Sequence, residues 1–395
     1  MKLQCDITLP ASKSESNRAL MIAAYGGFEP DFQNLSDSRD TMVLLEALSS
    51  LPSMSFLRKN VGGQESIEDR WHIIDVADCG TAARFFTTYL ACHEGEWVLT
   101  GTERMKQRPM MPLVKSLREL GADIEFVEKE GCLPLRIIGK PISGDKVHVD
   151  MHQSSQFASS LLLAAPMWTK GLEMDLIGEL TSLPYLDMTL AMMRHFGAEV
   201  ERNGRTISVK PKPYQSNCFM VEADWSAASY WYEMAALGEE CEIRLRDLSL
   251  SSLQGDVVIV DWMKQLGVGT FVENDAIVLR KIPFEKHPVH FDFAAHPDLY
   301  PTMAATCAAL NIEATFTGFD NLALKESDRV KALQIELAKL GNLPLRFCAH
   351  NDHRIVMALA PLALIYGPVA FDYPEVVEKS YPRFWKDCAF LTKSL

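Results

Sequence analysis

The segment Leu117–Ala122, with the sequence LRELGA, recurs in related form three more times and is the clearest guide to the fold. The related segments are MRHFGA at 193–198, MKQLGV at 263–268 and LAKLGN at 337–342. Each ends a helical pattern on a glycine that follows a basic residue, which is typical of a helix C-terminus. The four glycines, at positions 121, 197, 267 and 341, are separated by 70 to 76 residues, so a repeating unit of about this length is predicted.

Strand and helix patterns around these glycines predict an α/β protein made of six repeats. Alternating apolar and polar residues follow the first three glycines and predict β-hairpins, one of them turning at Asn203-Gly204. A small-residue helix is predicted upstream of each glycine, with looser copies at Asn17–Ala24 and Arg354–Leu364. The six first helices are expected to begin near Ser14, Thr81, Ser155, Ser226, Asp298 and Asp352. The last repeat is short, and the N-terminal segment Lys2–Leu9 is expected to supply its missing strand.

The repeats alone leave open whether the six units form one closed ring or two domains of three. No low-complexity linker is visible in the sequence. Domain boundaries are therefore expected at simple chain crossings, near Pro10–Ser12 and Glu222–Asp224.

Composition and charge exclude several classes of function. Of the 395 residues, 48% are apolar and 23% are charged, as in an ordinary globular protein. The formal net charge of −13 argues against non-specific binding to nucleic acid or to an anionic membrane. Nine scattered cysteines without a C-x-x-C pair predict neither a disulfide framework nor a zinc site. Because no signal peptide or bilayer-spanning run is evident, a cytoplasmic protein is expected.

Polar and charged residues are concentrated where the repeated helices are predicted to begin. The blocks are KSESNR at 13–18, DCGTAAR at 78–84, MKQRP at 105–109, HQSSQ at 152–156, TSLPY at 181–185, HPDLYP at 296–301, KESDR at 325–329, NDHR at 351–354 and EKSYP at 378–382. Helix N-termini offer free N–H groups and the positive end of the helix dipole, and Lys or Arg there suits phosphate and carboxylate. The repeat therefore predicts sites for small anions.

Each block also has a purely structural interpretation. Four helix-start hydroxyls fit simple N-caps: Ser14, Thr81, Ser155 and Ser182. Tyr185 fits a packing role, and His353 by itself fits a structural histidine better than a catalytic one. Lys325 and Arg329 have i, i+4 spacing, where like charges are unfavourable on a solvated face, which favours an anion site. Nine blocks at equivalent positions of a repeat are difficult to explain by capping alone.

In this order, the blocks resemble those of the 5-enolpyruvylshikimate-3-phosphate synthase family. The resemblance is carried by LPASKSESNRAL, CGTAAR, MKQRP, SSQF, SLPY, KESDR, NDHR and the late Lys379, and it extends from Leu9 to about Pro382. It implies an α/β fold of two similar lobes, each of three βαβαββ units, in an inside-out α/β barrel. It also implies one lobe at 12–222 and another at 1–11 plus 223–395, with the active site in the cleft between them.

The resemblance implies a reaction between two small molecules. The enolpyruvyl group of phosphoenolpyruvate would move to the 5-hydroxyl of shikimate 3-phosphate, with release of phosphate, in the biosynthesis of aromatic amino acids. No metal or cofactor is implied, and the expected protein is a monomer that binds neither nucleic acid nor membrane. The phosphoenolpyruvate site would also make it a target of glyphosate.

The resemblance further implies roles for individual residues. Those expected to hold shikimate 3-phosphate are Lys13, Ser14, Arg18, Ser154, Ser155, Gln156, Ser182, Tyr185, Asp298, Asn321 and Lys325. Those expected to surround phosphoenolpyruvate are Lys13, Gly80, Arg108, Gln156, Arg329, Arg354 and Lys379. Asp298 is implied as the base for the 5-hydroxyl, Glu326 as the acid that protonates the methylene carbon, and Lys13 as a catalytic group beside the bridging oxygen.

Three other functions share parts of this pattern. An enolpyruvyl transferase acting on UDP-N-acetylglucosamine has the same fold, but it usually carries a reactive Cys in the loop corresponding to 105–112, where this chain has none. An inactive anion-binding homologue would not need to retain Asp298, Glu326 and Lys13 together. An RNA 3′-phosphate cyclase conflicts with the net charge of −13. The sequence assigns no role to Arg84 or to the segment 49–69.

Overall fold

The structure is a computed structural model that describes residues 2–51 and 71–392, so most of the unassigned segment 49–69 lies outside it. The chain divides into two units. The carboxyl-terminal unit comprises Met1–Lys13, Ser36–Arg39 and Glu222–Leu395, and the amino-terminal unit comprises Ser14–Leu35 and Asp40–Val221. No sequence pattern indicates that Ser36–Arg39 belongs with the carboxyl-terminal unit. The lobe division at 12–222 stays a prediction.

Three repeats have the full βαβαββ pattern, two of them in the amino-terminal unit. The first consists of β3 His72–Asp75, α3 Gly80–Cys92, β4 Gly95–Thr100, α4 Met111–Glu119, β5 Asp123–Phe126 and β6 Leu135–Gly139. The second consists of β7 Lys146–Asp150, α5 Gln156–Ala164, β8 Leu172–Ile177, α6 Leu183–His195, β9 Val200–Asn203 and β10 Thr206–Val209. The third, in the carboxyl-terminal unit, consists of β1 Lys2–Thr8, α7 Trp225–Leu237, β12 Glu240–Arg246, α8 Ile259–Lys264, β13 Val268–Glu273 and β14 Ala276–Lys281. In each sheet two parallel strands are followed by an antiparallel hairpin, in the spatial order 1-2-4-3.

The other repeats are shorter, and their strands form parallel pairs. One consists of β11 Phe219–Met220, α1 Lys13–Gly26, β2 Phe32–Gln33 and α2 Arg39–Ser50. Another consists of β15 Val289–Asp292, α9 Tyr300–Leu310, β16 Ala314–Thr317 and α10 Arg329–Leu337. The last consists of β17 Leu345–Phe347, α11 His353–Leu359 and β18 Val369–Phe371, and the short helices α12 Ala363–Tyr366, α13 Phe384–Asp387 and α14 Ala389–Thr392 also lie near the C-terminus.

The N-terminal segment is a strand, but the prediction that it completes the last repeat is wrong. β1 pairs in parallel with β12, with Leu3 opposite Cys241 and Ile7 opposite Leu245, so it belongs to the repeat of α7. β11, which lies just before that repeat in the chain, instead pairs with β2. An alternating pattern identifies a strand and its buried face, but it does not specify the partner strand.

The repeated glycines end their helices as predicted. Their φ angles are positive: +95° at Gly121, +88° at Gly197, +84° at Gly267 and +93° at Gly341. Glycine adopts this left-handed conformation without the steric cost of a Cβ. After Gly197, the N–H of Ala198 donates to the carbonyl of Met193 at 3.0 Å, as is typical of such a helix ending. The predicted hairpin after Gly197 is also present, with its two-residue loop at Gly204–Arg205, one residue later than expected.

The first helices of the repeats lie inside the units, with the sheets packed outside them. All thirteen residues of α7 are buried, including Glu233, in a helix whose other residues are apolar or small. α7 packs against α9, and α9 packs against α11. Fully burying a side chain as large as Trp231 contributes about 1.5–3 kcal/mol or more to stability. The polar helix starts therefore project from a rigid core.

No helix among the described residues is long and apolar enough to cross a membrane.

Candidate active site

Arg329, the first residue of α10, lies at the centre of a charged group in the carboxyl-terminal unit. Its Nη1 donates to Asp298 Oδ1 and its Nη2 to Glu326 Oε2, both at 2.9 Å. Its Nε donates to Asp352 Oδ2 at 2.8 Å. Arg354 donates from Nη2 to the second oxygen of Asp298 at 2.7 Å. These five residues, called the carboxylate–arginine cluster, bring together both predicted proton-transfer residues and two predicted cations.

Asp352 organises this cluster, and its role was not recognised from the sequence. It is the N-cap of α11, where its Oδ1 accepts from the backbone N–H of Arg354 at 3.0 Å. It also accepts from Ser327 Oγ at 3.0 Å, and it is completely buried. One carboxylate therefore orients the guanidinium of Arg329 and the helix start that carries Arg354. An acid directly before a predicted helix start was the available sequence signal.

The cluster favours the ionised form of Asp298. Burial alone would raise the pKa of Asp298, but the charges of Arg354, Lys325 and Arg329 outweigh burial and hold it well below its usual value. The Nζ of Lys325 lies 3.9 Å from Asp298 Oδ1. Buried charges are costly to remove from water, so a network of this kind is maintained only by its mutual hydrogen bonds. At neutral pH Asp298 is a carboxylate tightly held by cations.

A second buried acid, Asp256, interacts electrostatically with Asp298. Asp256 is 3% exposed and accepts from Ser226 Oγ at 2.5 Å. Burial, followed by the charge of Asp298, raises the pKa of Asp256 to about 7. His296 Nδ1 lies 3.9 Å from Asp256 Oδ1, and burial lowers the pKa of His296 to about 4. Asp256 therefore titrates near neutrality beside a neutral histidine.

Three more of the predicted site residues also lie in this unit, outside the cluster. Lys13 begins α1, and its charge acts, after burial and together with Arg354, to hold the pKa of His353 well below its usual value. Lys379 is buried at the end of the 3₁₀ turn Pro374–Lys379. Asn321 is also buried, and its Oδ1 has no hydrogen-bond partner among the described residues. A buried amide oxygen of this kind is suited to receive a ligand hydroxyl.

In the amino-terminal unit, Gly80 begins α3 directly against two guanidinium groups. A Cβ on Gly80 would lie 2.5 Å from Arg108 Nη1 and 2.8 Å from Arg84 Nη1. The φ of Gly80 is not in the left-handed region, so the close guanidinium groups, and not a special backbone angle, oppose a side chain here. Arg84 donates to the carbonyl of Gly80 and to that of Pro109, both at 3.1 Å. Arg84 therefore supports the loop that carries Arg108.

Gln156 connects the starts of two helices. Its Nε2 donates to Thr81 Oγ1 at 3.1 Å, which joins α5 to α3. Its backbone N–H donates to Ser154 Oγ at 3.2 Å.

The N-cap of α3 is Cys79, whose sulfur accepts from the N–H of Ala82, so the capping interpretation of Thr81 is wrong.

Two buried serines stand at N-cap positions without capping their helices. Neither Ser155, before α5, nor Ser182, before α6, makes a side-chain hydrogen bond to its helix. Ser182 also has a left-handed backbone, with φ +54°, which costs of the order of 1–3 kcal/mol outside glycine. Strain of this kind is concentrated at functional sites, and both hydroxyls are suited to a ligand rather than to capping.

Arg18 joins α1 to α6. Its Nε donates to Thr189 Oγ1 at 2.7 Å, and its Nη2 donates to the carbonyl of Tyr185 at 3.1 Å. Its Nη1 donates to the carbonyl of Ser14 at 2.9 Å. Burial lowers the pKa of Arg18 to about 10, so the guanidinium remains charged at neutral pH. Arg18 thus fixes the positions of Ser14 and Tyr185 and places a cation beside them.

The described residues contain no group of three or more His, Cys, Asp or Glu side chains arranged to hold a metal ion. All nine cysteines lie among the described residues, and none forms a disulfide. That the site needs neither metal nor cofactor stays a prediction.

Comparisons with known proteins identify the family. The family model for EPSP synthase (3-phosphoshikimate 1-carboxyvinyltransferase) matches residues 1–343. A 3-phosphoshikimate 1-carboxyvinyltransferase from Bacteroides fragilis is 40% identical, with 98% of this chain and 95% of that protein covered. One from Haemophilus influenzae is 35% identical, with 96% and 95% covered.

Solved structures show the same fold. An EPSP synthase from Acinetobacter baumannii aligns with a TM-score of 0.74 at 21% identity, covering 98% of this chain and 96% of that one. An enolpyruvyl transferase from Streptomyces tendae aligns with a TM-score of 0.71 at 14% identity, covering 99% and 95%. The predicted α/β fold of two similar lobes is thereby confirmed, and the relatives favour the shikimate enzyme over the UDP-N-acetylglucosamine enzyme. The chain belongs to the EPSP synthase (3-phosphoshikimate 1-carboxyvinyltransferase) family.

Proposed function

We propose that this protein transfers the enolpyruvyl group of phosphoenolpyruvate to the 5-hydroxyl of shikimate 3-phosphate and releases phosphate. A bond forms between the 5-oxygen and C2 of phosphoenolpyruvate while the methylene carbon gains a proton. Loss of phosphate and of a methyl proton then restores the double bond. The observation that carries the proposal is the carboxylate–arginine cluster, where Asp298 and Glu326 share the guanidinium of Arg329.

In this proposal, phosphoenolpyruvate binds mainly to cations at fixed positions. The cations assigned to phosphoenolpyruvate are Lys13, Arg108, Arg329, Arg354 and Lys379, and the two uncharged residues are Gly80 and Gln156. Guanidinium groups bind carboxylate and phosphate through paired hydrogen bonds. Arg329 and Arg354 are pre-positioned by Asp298 and Asp352, so little reorganisation is needed when the anion arrives. The bare backbone of Gly80 lets the ligand approach the start of α3 beside Arg108.

Shikimate 3-phosphate is assigned to helix-start hydroxyls, amides and cations. The residues are Lys13, Ser14, Arg18, Ser154, Ser155, Gln156, Ser182, Tyr185, Asp298, Asn321 and Lys325. Two features support this assignment: the hydroxyls of Ser155 and Ser182 are not used as caps, and the buried Oδ1 of Asn321 lacks a partner among the described residues. Phosphate is favoured at helix N-termini and beside Arg18 and Lys325.

Binding of phosphoenolpyruvate activates Asp298 as the base. In the ligand-free protein, Arg354, Lys325 and Arg329 hold the pKa of Asp298 too low for it to accept a proton readily. An anion on Arg329 and Arg354 weakens their attraction for Asp298, which raises its proton affinity. Because Glu326 and Asp298 share Arg329, the same anion favours a proton on one of the two carboxyls, and Glu326 is assigned as the acid. Lys13 is assigned to the bridging oxygen.

A phosphate-release assay tests the proposal directly. Phosphoenolpyruvate is supplied with either shikimate 3-phosphate or UDP-N-acetylglucosamine as the acceptor. We expect phosphate only with shikimate 3-phosphate. Release with UDP-N-acetylglucosamine alone assigns the protein to the sister reaction, and no release with either acceptor identifies an inactive homologue.

We also propose that the protein is a cytoplasmic monomer that binds neither nucleic acid nor membrane. Its nine cysteines form no disulfide, which fits a reducing compartment, and its net charge of −13 opposes binding to polyanions. Light scattering after size exclusion should give the mass of one chain, 44.3 kDa. A stable mass of twice this value contradicts the monomer.

A further inference from the structure

We propose that Glu336 and His350 form a positioning pair that holds the turn before α11 in the conformation required for phosphoenolpyruvate binding. The turn consists of residues 348–351 and leads directly to Asp352 and Arg354. The inference rests on the proposed function, because that function assigns Arg354 to phosphoenolpyruvate.

The turn has an unfavourable backbone conformation. His350 has a φ of +51° and Asn351 a φ of +52°, so two consecutive residues other than glycine are left-handed. His adopts this conformation less readily than Asn, and such a residue persists only where the surrounding structure enforces it. Without such enforcement, the turn would relax and change the position of the Asp352 cap.

Glu336, on α10, contributes to this enforcement at two points. Its side chain is 1% exposed, and its Oε1 accepts from His350 Nε2 at 2.9 Å. Its Oε2 accepts from the backbone N–H of Cys348 at 3.0 Å and from Lys339 Nζ at 2.5 Å. On the other side of the turn, the N–H of Ala349 donates to an Asp372 oxygen at 2.7 Å. The carboxylate of Glu336 therefore holds both the backbone and the side chain of the turn.

The same helix fixes the far end of this segment. α10 begins at Arg329, whose Nε donates to Asp352 Oδ2, and Glu336 follows two turns later, about 10 Å along the axis. One rigid helix thus contacts the segment at Cys348 and His350 and again at Asp352. Loss of the contact with His350 would let the turn and Asp352 move relative to Arg329. A displacement of about 1 Å in a substrate-positioning group can cost up to ~10²-fold in rate.

Substitutions at His350 can separate positioning from backbone strain. Asn tolerates the left-handed conformation well, but it is too short to reach Glu336, so His350→Asn removes the contact without adding strain. Gln places an amide N–H near the position of the His350 Nε2, so His350→Gln retains a donor for Glu336. The matched control is His290→Asn, which removes an exposed histidine hydrogen bond to Thr317 in the same unit.

The measurement is steady-state kinetics with each substrate varied, together with thermal unfolding of each variant. We expect His350→Asn to raise the KM for phosphoenolpyruvate about 5- to 10-fold while that for shikimate 3-phosphate changes less than about 2-fold. His350→Gln should recover most of the loss, and His290→Asn should match the wild type.

Several outcomes overturn the inference. They are unchanged Michaelis constants in His350→Asn, an equal rise in both constants, a lower unfolding temperature with no kinetic change, and no recovery in His350→Gln. An inactive wild-type protein refutes the proposed function and this inference with it. An active wild type with normal kinetics in His350→Asn refutes only the inference.

Discussion

Replacing Gly80 by Ala places a methyl group where the structure has the end of the Arg108 side chain. The new Cβ would lie 2.5 Å from Nη1 and 2.8 Å from Cζ of Arg108, whereas ordinary contact begins near 3.4 Å. Arg84, the other neighbour, is held by the carbonyls of Gly80 and Pro109. Arg108 must therefore retreat by about 1 Å, because atoms repel steeply below their contact distance.

A shift of this size should affect ligand binding more than folding. A displacement of about 1 Å can cost up to ~10²-fold, so we expect the KM for phosphoenolpyruvate to rise about 10-fold in Gly80→Ala. The inhibition constant of glyphosate, a slightly longer molecule, should rise by a larger factor because the methyl group crowds it more. The helix itself should tolerate the change, since the φ of Gly80 lies outside the left-handed region that would exclude Ala.

The assay compares the KM for phosphoenolpyruvate and the glyphosate inhibition constant in wild type and Gly80→Ala. A double-mutant cycle with Arg108→Lys tests the route of the effect. If the methyl group acts through the Arg108 guanidinium, Gly80→Ala should change little in the Arg108→Lys background. Strictly additive effects, equal shifts of both constants, or unfolding of Gly80→Ala would each refute this reasoning.

The remaining predictions concern proton transfer and buried acids. Asp298→Asn and Glu326→Gln should each lower kcat by about 10²–10⁴-fold in a folded protein, and near-normal turnover would remove that residue from the mechanism. Asp256→Asn should raise the unfolding temperature more at pH 8 than at pH 5. The pKa of Asp256 is about 7 when folded and near 3.8 when unfolded, so its ionisation destabilises the fold as pH rises through this interval. An equal change at both pH values contradicts this account. Both carboxyl oxygens of Glu233 are buried without a hydrogen-bond partner among the described residues. Glu233→Met should therefore raise the free energy of unfolding by about 1–3 kcal/mol in urea titrations, and a loss of stability would contradict this reasoning.

Features that depend on neighbouring residues were predictable from the sequence. The left-handed glycines at the helix ends, the hairpin after Gly197 and the starts of the repeated helices are specified by a few adjacent residues each. The polar blocks at these starts also indicated the family. Local steric preferences and hydrogen bonds act over one or two turns of chain, so they leave a readable pattern.

Features that depend on distant partners were decided only by the tertiary structure. Nothing local distinguishes β12 from the last repeat as the partner of β1, because alternation specifies a face and not a neighbour. Asp352 contacts Arg329 across 23 residues, and Arg18 contacts Thr189 across 171. The residue type alone does not show whether a charged or hydroxyl side chain faces water or a buried partner. The packing of the helices inside each unit determines which of them meet, and thereby determines the pKa of Asp298 and the space beside Gly80.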